Sequence, residues 1–233
     1  MSPTVPLAQQ VGRVPSTLIP LDAREQVRFE RLIDSLLLID KHQHTLVMPH
    51  DLHDGDAYAA SYDFTWGYDA IRAGRWSAVG AACNMSALMH SVDGSHVAFE
   101  DLVDEVGLML ADIARQTGVV AVGCATDIER AHAVGSIGVL PVAEYLAIGD
   151  RPHRVDMLYG VGVRMGGLTC ARRSQLGEGQ AESSGAGLSE LGREVLRRMN
   201  DVGMRGPGLL NSTTPDFVTA GEQDGELAVC GPS

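Results

Sequence analysis

The sequence predicts an α/β protein with parallel strands, and three observations predict it. Short apolar runs of strand length, such as residues 36–40, 119–123 and 137–142, alternate with longer amphipathic stretches of helical period. The alternation recurs roughly every 30 to 50 residues, the length of a strand, a helix and their connections. With 233 residues and 45% hydrophobic content, the chain has enough apolar side chain to bury both faces of a sheet. Strands separated by helices are joined by crossovers, which makes them pair in parallel.

Residues 1–21 carry Pro3, Pro6, Pro15 and Pro20 and show no sustained period, so they are expected to form an arm on the surface. Asp22 has the character of an N-cap. Beyond it Val27, Leu32 and Ile33, interleaved with Glu25, Arg28, Glu30 and Arg31, suit an amphipathic helix. The run 36–40 is too short for a buried helix and is expected to be the first strand. Further strands are expected at 76–83, 119–123, 137–142 and 163–169. Helices are expected at 99–116, 126–134, 154–159 and 188–202, the last with Gly203 as its C-cap. Residues 177–187, rich in Gly, Ser and Glu, are expected to be a solvent-exposed loop. From Gly206 onward Pro207, Gly208, Gly221, Gly225 and Gly231 interrupt a polar stretch. The expected organisation is therefore an arm over 1–21, one α/β domain over 22–205 and an irregular tail over 206–233.

Charge and composition exclude some functions. The net charge of -12 repels a phosphate backbone and no basic cluster offsets it locally, which argues against nucleic acid. The longest apolar stretches, 36–39 and 118–122, fall far short of the roughly 20 residues needed to cross a bilayer. Residues 1–14 lack the basic start and apolar run of a secretory signal, so a cytoplasmic location is expected. Cys83, Cys124, Cys170 and Cys230 are widely spaced, form no C-x-x-C pair, and are expected to be reduced thiols.

His42 and His44 follow the first expected strand. Residues two apart on an extended chain point to the same side, so both imidazoles can face one metal ion. An H-x-H pair at the carboxyl end of a strand suits zinc. His50 and His53 follow in the next loop, and a His-rich surface loop that binds metal adventitiously fits the same residues. Glu144, after the strand 137–142, falls at the same end of the sheet. It also fits a carboxylate placed at a helix N-terminus, as do Asp127 and Glu129. The glycines of 160–167 lack the G-x-G-x-x-G spacing, and Ser183 and Ser184 lack a G-x-S-x-G turn, which argues against a nucleotide site and a serine hydrolase.

Two segments resemble a known family. LYGVGVRMGGLT at 158–169 is similar to "fyrlGvRyltLTH", and GLSELGREVLRRMNDVGM at 187–204 is similar to "GLTdfGreVVreMNrlGM". Both belong to the membrane (renal) dipeptidases of the amidohydrolase superfamily. Upstream, IDKHQH at 39–44 stands where that family has "vDgHnD", and GVLPVAE at 138–144 stands where it has a strand ending in a metal-bridging Glu. The resemblance spans about 36–204 and implies a partial (β/α)8 TIM barrel. It further implies a site of two zinc ions with His42, His44 and Glu144 among the ligands. Implied with these are a small peptide substrate and hydrolysis of a peptide or amide bond by zinc-activated water.

The departures from the family are specific. His44 replaces an Asp, which keeps a ligand. Cys170 replaces the His of "LTH" and so takes the family's substrate-binding position. After Met204 the family continues into a strand ending "DlSH". Here the chain reads RGPGLLNS, with Pro207 where a central strand would run. No residue is identified as the catalytic acid or base. About five strands cannot close a barrel, so an open parallel edge is expected, and with it a homo-oligomer. Two readings follow: a zinc dipeptidase-like hydrolase, or a catalytically inactive truncated homologue or non-enzymatic subunit.

Overall fold

The computed structural model describes residues 5–14, 19–83, 98–169, 173–179 and 187–206. Most of the 206–233 tail and Cys170 lie outside these residues. Helix α1 (Ala23–Ser35) starts where the sequence places it. Asp22 Oδ1 accepts the Glu25 N–H at 2.8 Å, and Glu25 Oε2 accepts the Asp22 N–H at 2.9 Å. This reciprocal pair satisfies two backbone donors that the first turn of a helix leaves open. No residue of α1 is buried, and Val27, Phe29 and Leu32 remain exposed. Arg75, held at φ 57° after the third helix, reaches back to Glu30 and Asp34 of α1.

Strand β1 (Ile39–Gln43) lies further along the chain than the apolar run suggests. Leu36 and Leu37 are exposed, and pairing starts only after the Leu38 carbonyl accepts the Ser77 N–H at 2.8 Å. A short 3-10 turn (Leu52–Asp54), α2 (Gly55–Ser61) and α3 (Tyr68–Ala73) follow, none of them expected from the sequence. They are too short for a helical period to register. The next elements fall close to expectation: β2 (Ala78–Cys83), α4 (Phe99–Ile113), β3 (Val119–Ala121), α5 (Ala125–Ala133), β4 (Ile137–Ala143) and α6 (Arg154–Gly160). Strand β5 is only Met165–Gly166, shorter than the run 163–169. Helix α7 (Glu190–Val202) is capped by Ser189, whose Oγ accepts the Gly192 N–H at 2.9 Å, and by Gly203 at φ 81°.

All strand pairs are parallel, and the sheet runs β1-β2-β4-β3 with β5 also on β4. Because β2 occupies one edge of β4 from Gly138 to Ala143, β3 and β5 share the other edge. Every residue of β2 and β4 is buried, as a parallel sheet covered on both faces requires. Val79, Ala81, Cys83, Val139 and Ala143 join the main core with α4 and α7. Ala78, Leu140 and Val142 pack with Ile128 and Ala131 of α5 on the other face. The chain is thus an α/β domain with a partial TIM-barrel sheet.

The expectation of reduced cysteines holds for Cys83, which is free and buried. It is corrected for Cys124, which is disulfide-bonded. Among the described residues no helix is long and apolar enough to cross a membrane.

Candidate metal centre

The site is built where β1 meets β2. Ile39 and Asp40 pair with Ala78 and Val79, but Gln43 pairs with Ala81, so β1 carries one extra residue at Lys41–His42. Such a bulge bends the strand and re-aims side chains. The partner residue is Gly80, and a Cβ there would lie 2.2 Å from the Lys41 carbonyl oxygen. Only glycine lets the bulge sit this close. A glycine inside a strand signals a bulge, so this feature was open to sequence reasoning and was missed.

The bulge brings His42 and His44 together edge to face, with ring centroids 5.1 Å apart. The His42 N–H donates to Asp40 Oδ1 at 3.1 Å, which fixes the backbone between them. Glu144 arrives as the residue after β4. Its N–H donates to the Cys83 carbonyl at 3.1 Å, at the carboxyl end of β2. Gly167, just past β5, presses on it from the far side, where a Cβ would lie 2.3 Å from the Glu144 carbonyl oxygen. Glu144 Oε2 stands 3.7 Å from His44 Nδ1. One ligand atom from each of His42, His44 and Glu144 lies within 4.8 Å of the others.

These donors fit a zinc ion. Tetrahedral zinc with bonds of about 2.1 Å spaces its donors about 3.4 Å apart, close to the His44–Glu144 separation. His42 Nδ1 is buried with no hydrogen-bond partner among the described residues. Burial is the main cause that lowers the His42 pKa from its ordinary 6.5; Glu144 and Asp40 oppose it, and His44 adds to it. A ring held neutral is ready to ligate, since a protonated imidazole has no lone pair to give.

The sign of the pH effect follows. Above 6.5 the ring is neutral in folded and unfolded chains alike. As pH falls below 6.5 the unfolded chain takes the proton first, and the folded state loses stability until its own ring protonates. Thermal melts of metal-free protein at pH 7.5 and 5.5 are expected to show this loss, and His42→Gln to reduce it.

The other sequence candidates fall elsewhere. His53 is exposed and bonds Asp51 Oδ1 through Nδ1 at 2.8 Å, and His50 lines a cavity that His44 also lines. Neither joins the donor cluster, so a four-histidine metal site is not formed. Asp127 Oδ2 accepts the Gly123 N–H at 3.0 Å at the start of α5, the local backbone role open to it.

Comparison with known proteins gives the family and the fold. Residues 26–205, most of the chain, match the pattern of the membrane dipeptidases, peptidase family M19. The chain belongs to the membrane dipeptidase family. The sequence matches none of the curated proteins. An amidohydrolase from Pseudomonas aeruginosa is similar in structure, with a TM-score of 0.60 at 19% identity over 83% of this chain and 52% of that one. A probable dipeptidase, PvdM, from the same organism superposes with a TM-score of 0.58 at 18% identity, over 79% of this chain and 50% of its own. A metallopeptidase from Rhodobacter sphaeroides, liganded with a phosphinate mimic of the dipeptide L-Ala-D-Ala, gives 0.52 at 16% identity over 73% and 57%. At these identities the likeness is one of fold, and this dipeptidase-family chain spans about half the length of those structures. The family is one of metallopeptidases, and among the described residues His42, His44 and Glu144 form a cluster of possible metal donors.

Proposed function

We propose that this chain holds zinc through His42, His44 and Glu144, and that the site serves hydrolysis of the peptide or amide bond of a dipeptide. The observation that carries the reading is the meeting of three donors within 4.8 Å at the carboxyl ends of two parallel strands. Two imidazoles and a carboxylate are a donor set that zinc takes in hydrolytic sites, with one position left for water. A bound zinc ion would supply a water of lowered pKa and polarise the peptide carbonyl.

The chain's own residues set the stage for that chemistry. Burial keeps His42 neutral, so its lone pair remains available. Glu144 brings a negative charge that offsets part of the charge of a dication. Its backbone bond to Cys83 and the contact with Gly167 fix where the carboxylate can go. The dipeptide mimic bound by the Rhodobacter sphaeroides metallopeptidase supports a dipeptide as the substrate class to assay first.

The test is elemental analysis of the purified chain beside a His42→Ala/His44→Ala double variant, with L-Ala-D-Ala hydrolysis measured on the same samples. Near-stoichiometric zinc in the parent, little in the variant, and turnover only in the metal-loaded parent are expected. Equal metal in both proteins would overturn the site. Zinc without turnover would favour the non-catalytic subunit over the hydrolase.

A further inference from the structure

Helix α1 meets the rest of the chain with its polar side. Val27, Glu30 and Asp34 share one side of it by their spacing, and Glu30 and Asp34 are the residues that Arg75 holds. Phe29, Leu32, Ile33 and Leu36 lie on the opposite side, at the i, i+3, i+4, i+7 spacing of a core-facing stripe. Phe29, Leu32 and Leu36 are exposed, and Ile33 is only partly buried. The stripe that ordinarily packs a helix onto its own sheet thus faces outward. A contiguous apolar surface of this kind marks an interaction site.

The stripe runs on into an open edge of the sheet. Among the described residues β1 is paired on one edge only, to β2. Leu37 and Ile39, two apart on extended chain and both exposed, precede the bulge at Lys41–His42, which interrupts any further ladder. The opposite edge of the sheet is open as well. Met165 of β5 is bridged there to Arg205, but among the described residues β3 is paired to β4 alone. One row crosses the whole sheet in register, from Ile39 through Ala78 and Gly138 to Val120. Both its ends are exposed apolar side chains, Ile39 at 37% and Val120 at 39%. Because β3 and β5 share one edge of β4, the sheet is four strands wide, and a TIM barrel closes with eight.

We infer that two copies of this chain close on each other edge to edge, with α1 and the amino half of β1 of one copy against β3 of the other. A second copy is the occupant because each copy carries both sides of the contact, the apolar stripe with the β1 edge and the β3 edge. A two-fold axis along the strands preserves their direction, so the new pairs are parallel, like every pair within the sheet. The same axis uses both edges at once and leaves neither bare. Two widths of four supply the eight strands of a closed barrel, from a chain that spans about half the length of the structures it resembles. The neighbour also comes to lie beside the end of β1, where the His44 side chain is 41% exposed. The pairing does not depend on the proposed function and is tested without metal.

Sedimentation of the metal-free full chain over a range of concentrations is the test. The parent is expected to run at twice the mass of one chain. The double variant Phe29→Glu/Leu32→Glu, and separately Val120→Glu, are each expected to weaken the dimer by about thirtyfold or more, the scale of losing an interface anchor. All three side chains are exposed in the single chain, so a carboxylate there leaves the core intact. Val27→Glu, on the Arg75 side of α1, is expected to keep the parent's mass. A parent that is monomeric at every concentration overturns the inference and leaves the two edges to a different chain. A dimer that survives Phe29→Glu/Leu32→Glu overturns it too, as does loss of the dimer in Val27→Glu. A dimer broken by the α1 variant but kept by Val120→Glu also overturns it, since β3 would then take no part. Circular dichroism checks that each variant keeps its helices, and if one fails to fold the other decides.

Discussion

Replacing His42 with Ala is expected to weaken zinc binding by about a hundredfold or more. Structural zinc sites with four protein ligands bind with roughly 10–16 kcal/mol, about 2.5 to 4 kcal/mol for each ligand if shared equally. Losing one share corresponds to a factor of about 10² to 10³. His42 is half-buried beside His44 and Glu144, and its Nδ1 has no hydrogen-bond partner among the described residues. Glu144→Ala is expected to have an effect of similar size, and this second variant separates two kinds of site. Binding that survives Glu144→Ala would mean that metal sits on the histidines of the loop, His50 and His53 included, against the geometry. Competition with a chromophoric zinc chelator measures both variants. A melt of the metal-free proteins checks that each remains folded.

Gly80→Ala is expected to lower the stability of the metal-free protein by about 1–3 kcal/mol, the range for forcing an extra methyl into a packed interior, and to weaken zinc binding as well. A Cβ at this position would meet the Lys41 carbonyl oxygen at 2.2 Å and its carbon at 2.8 Å, contacts that backbone must move to relieve. The strand that has to move is β1, one residue before His42. Gly107→Ala is the control. Nothing lies within 4 Å of a Cβ there, in the middle of α4, and alanine is the better helix former by about 1 kcal/mol. Denaturant unfolding is expected to place the two variants on opposite sides of the parent. If Gly80→Ala unfolds with the parent and binds zinc equally well, the bulge is not what positions His42.

Local signals were legible wherever a few neighbouring residues settle the structure. Asp22 announces the start of α1, Gly203 closes α7, and the apolar run of β4 reads as a buried strand. The H-x-H spacing put two imidazoles on one side of the chain before any fold was considered. Legibility failed where strand pairing decides. Residues 36–38 are apolar enough for a strand, yet β1 begins at Ile39 because Leu38 is where the chain first meets Ser77. Helices α2 and α3 span barely two turns and leave no periodic trace. The proline-rich arm showed no period because its contacts run to Met48, His50 and the first turn of α3, and not within itself.

The sequence by itself therefore determined the α/β class, the order of the main elements and the residue types that can bind metal, since caps, periods and donor chemistry are properties of short segments. It also carried the family resemblance on the segments 158–169 and 187–204. The resemblance already implied Glu144 beside His42 and His44; the tertiary structure decided how closely the three meet and that His50 and His53 stay outside the cluster. It also decided that the strand carrying His42 bulges against Gly80. The physical reason is the same in each case. These contacts join residues far apart in sequence, and they exist only once parallel pairing has set which backbone lies against which.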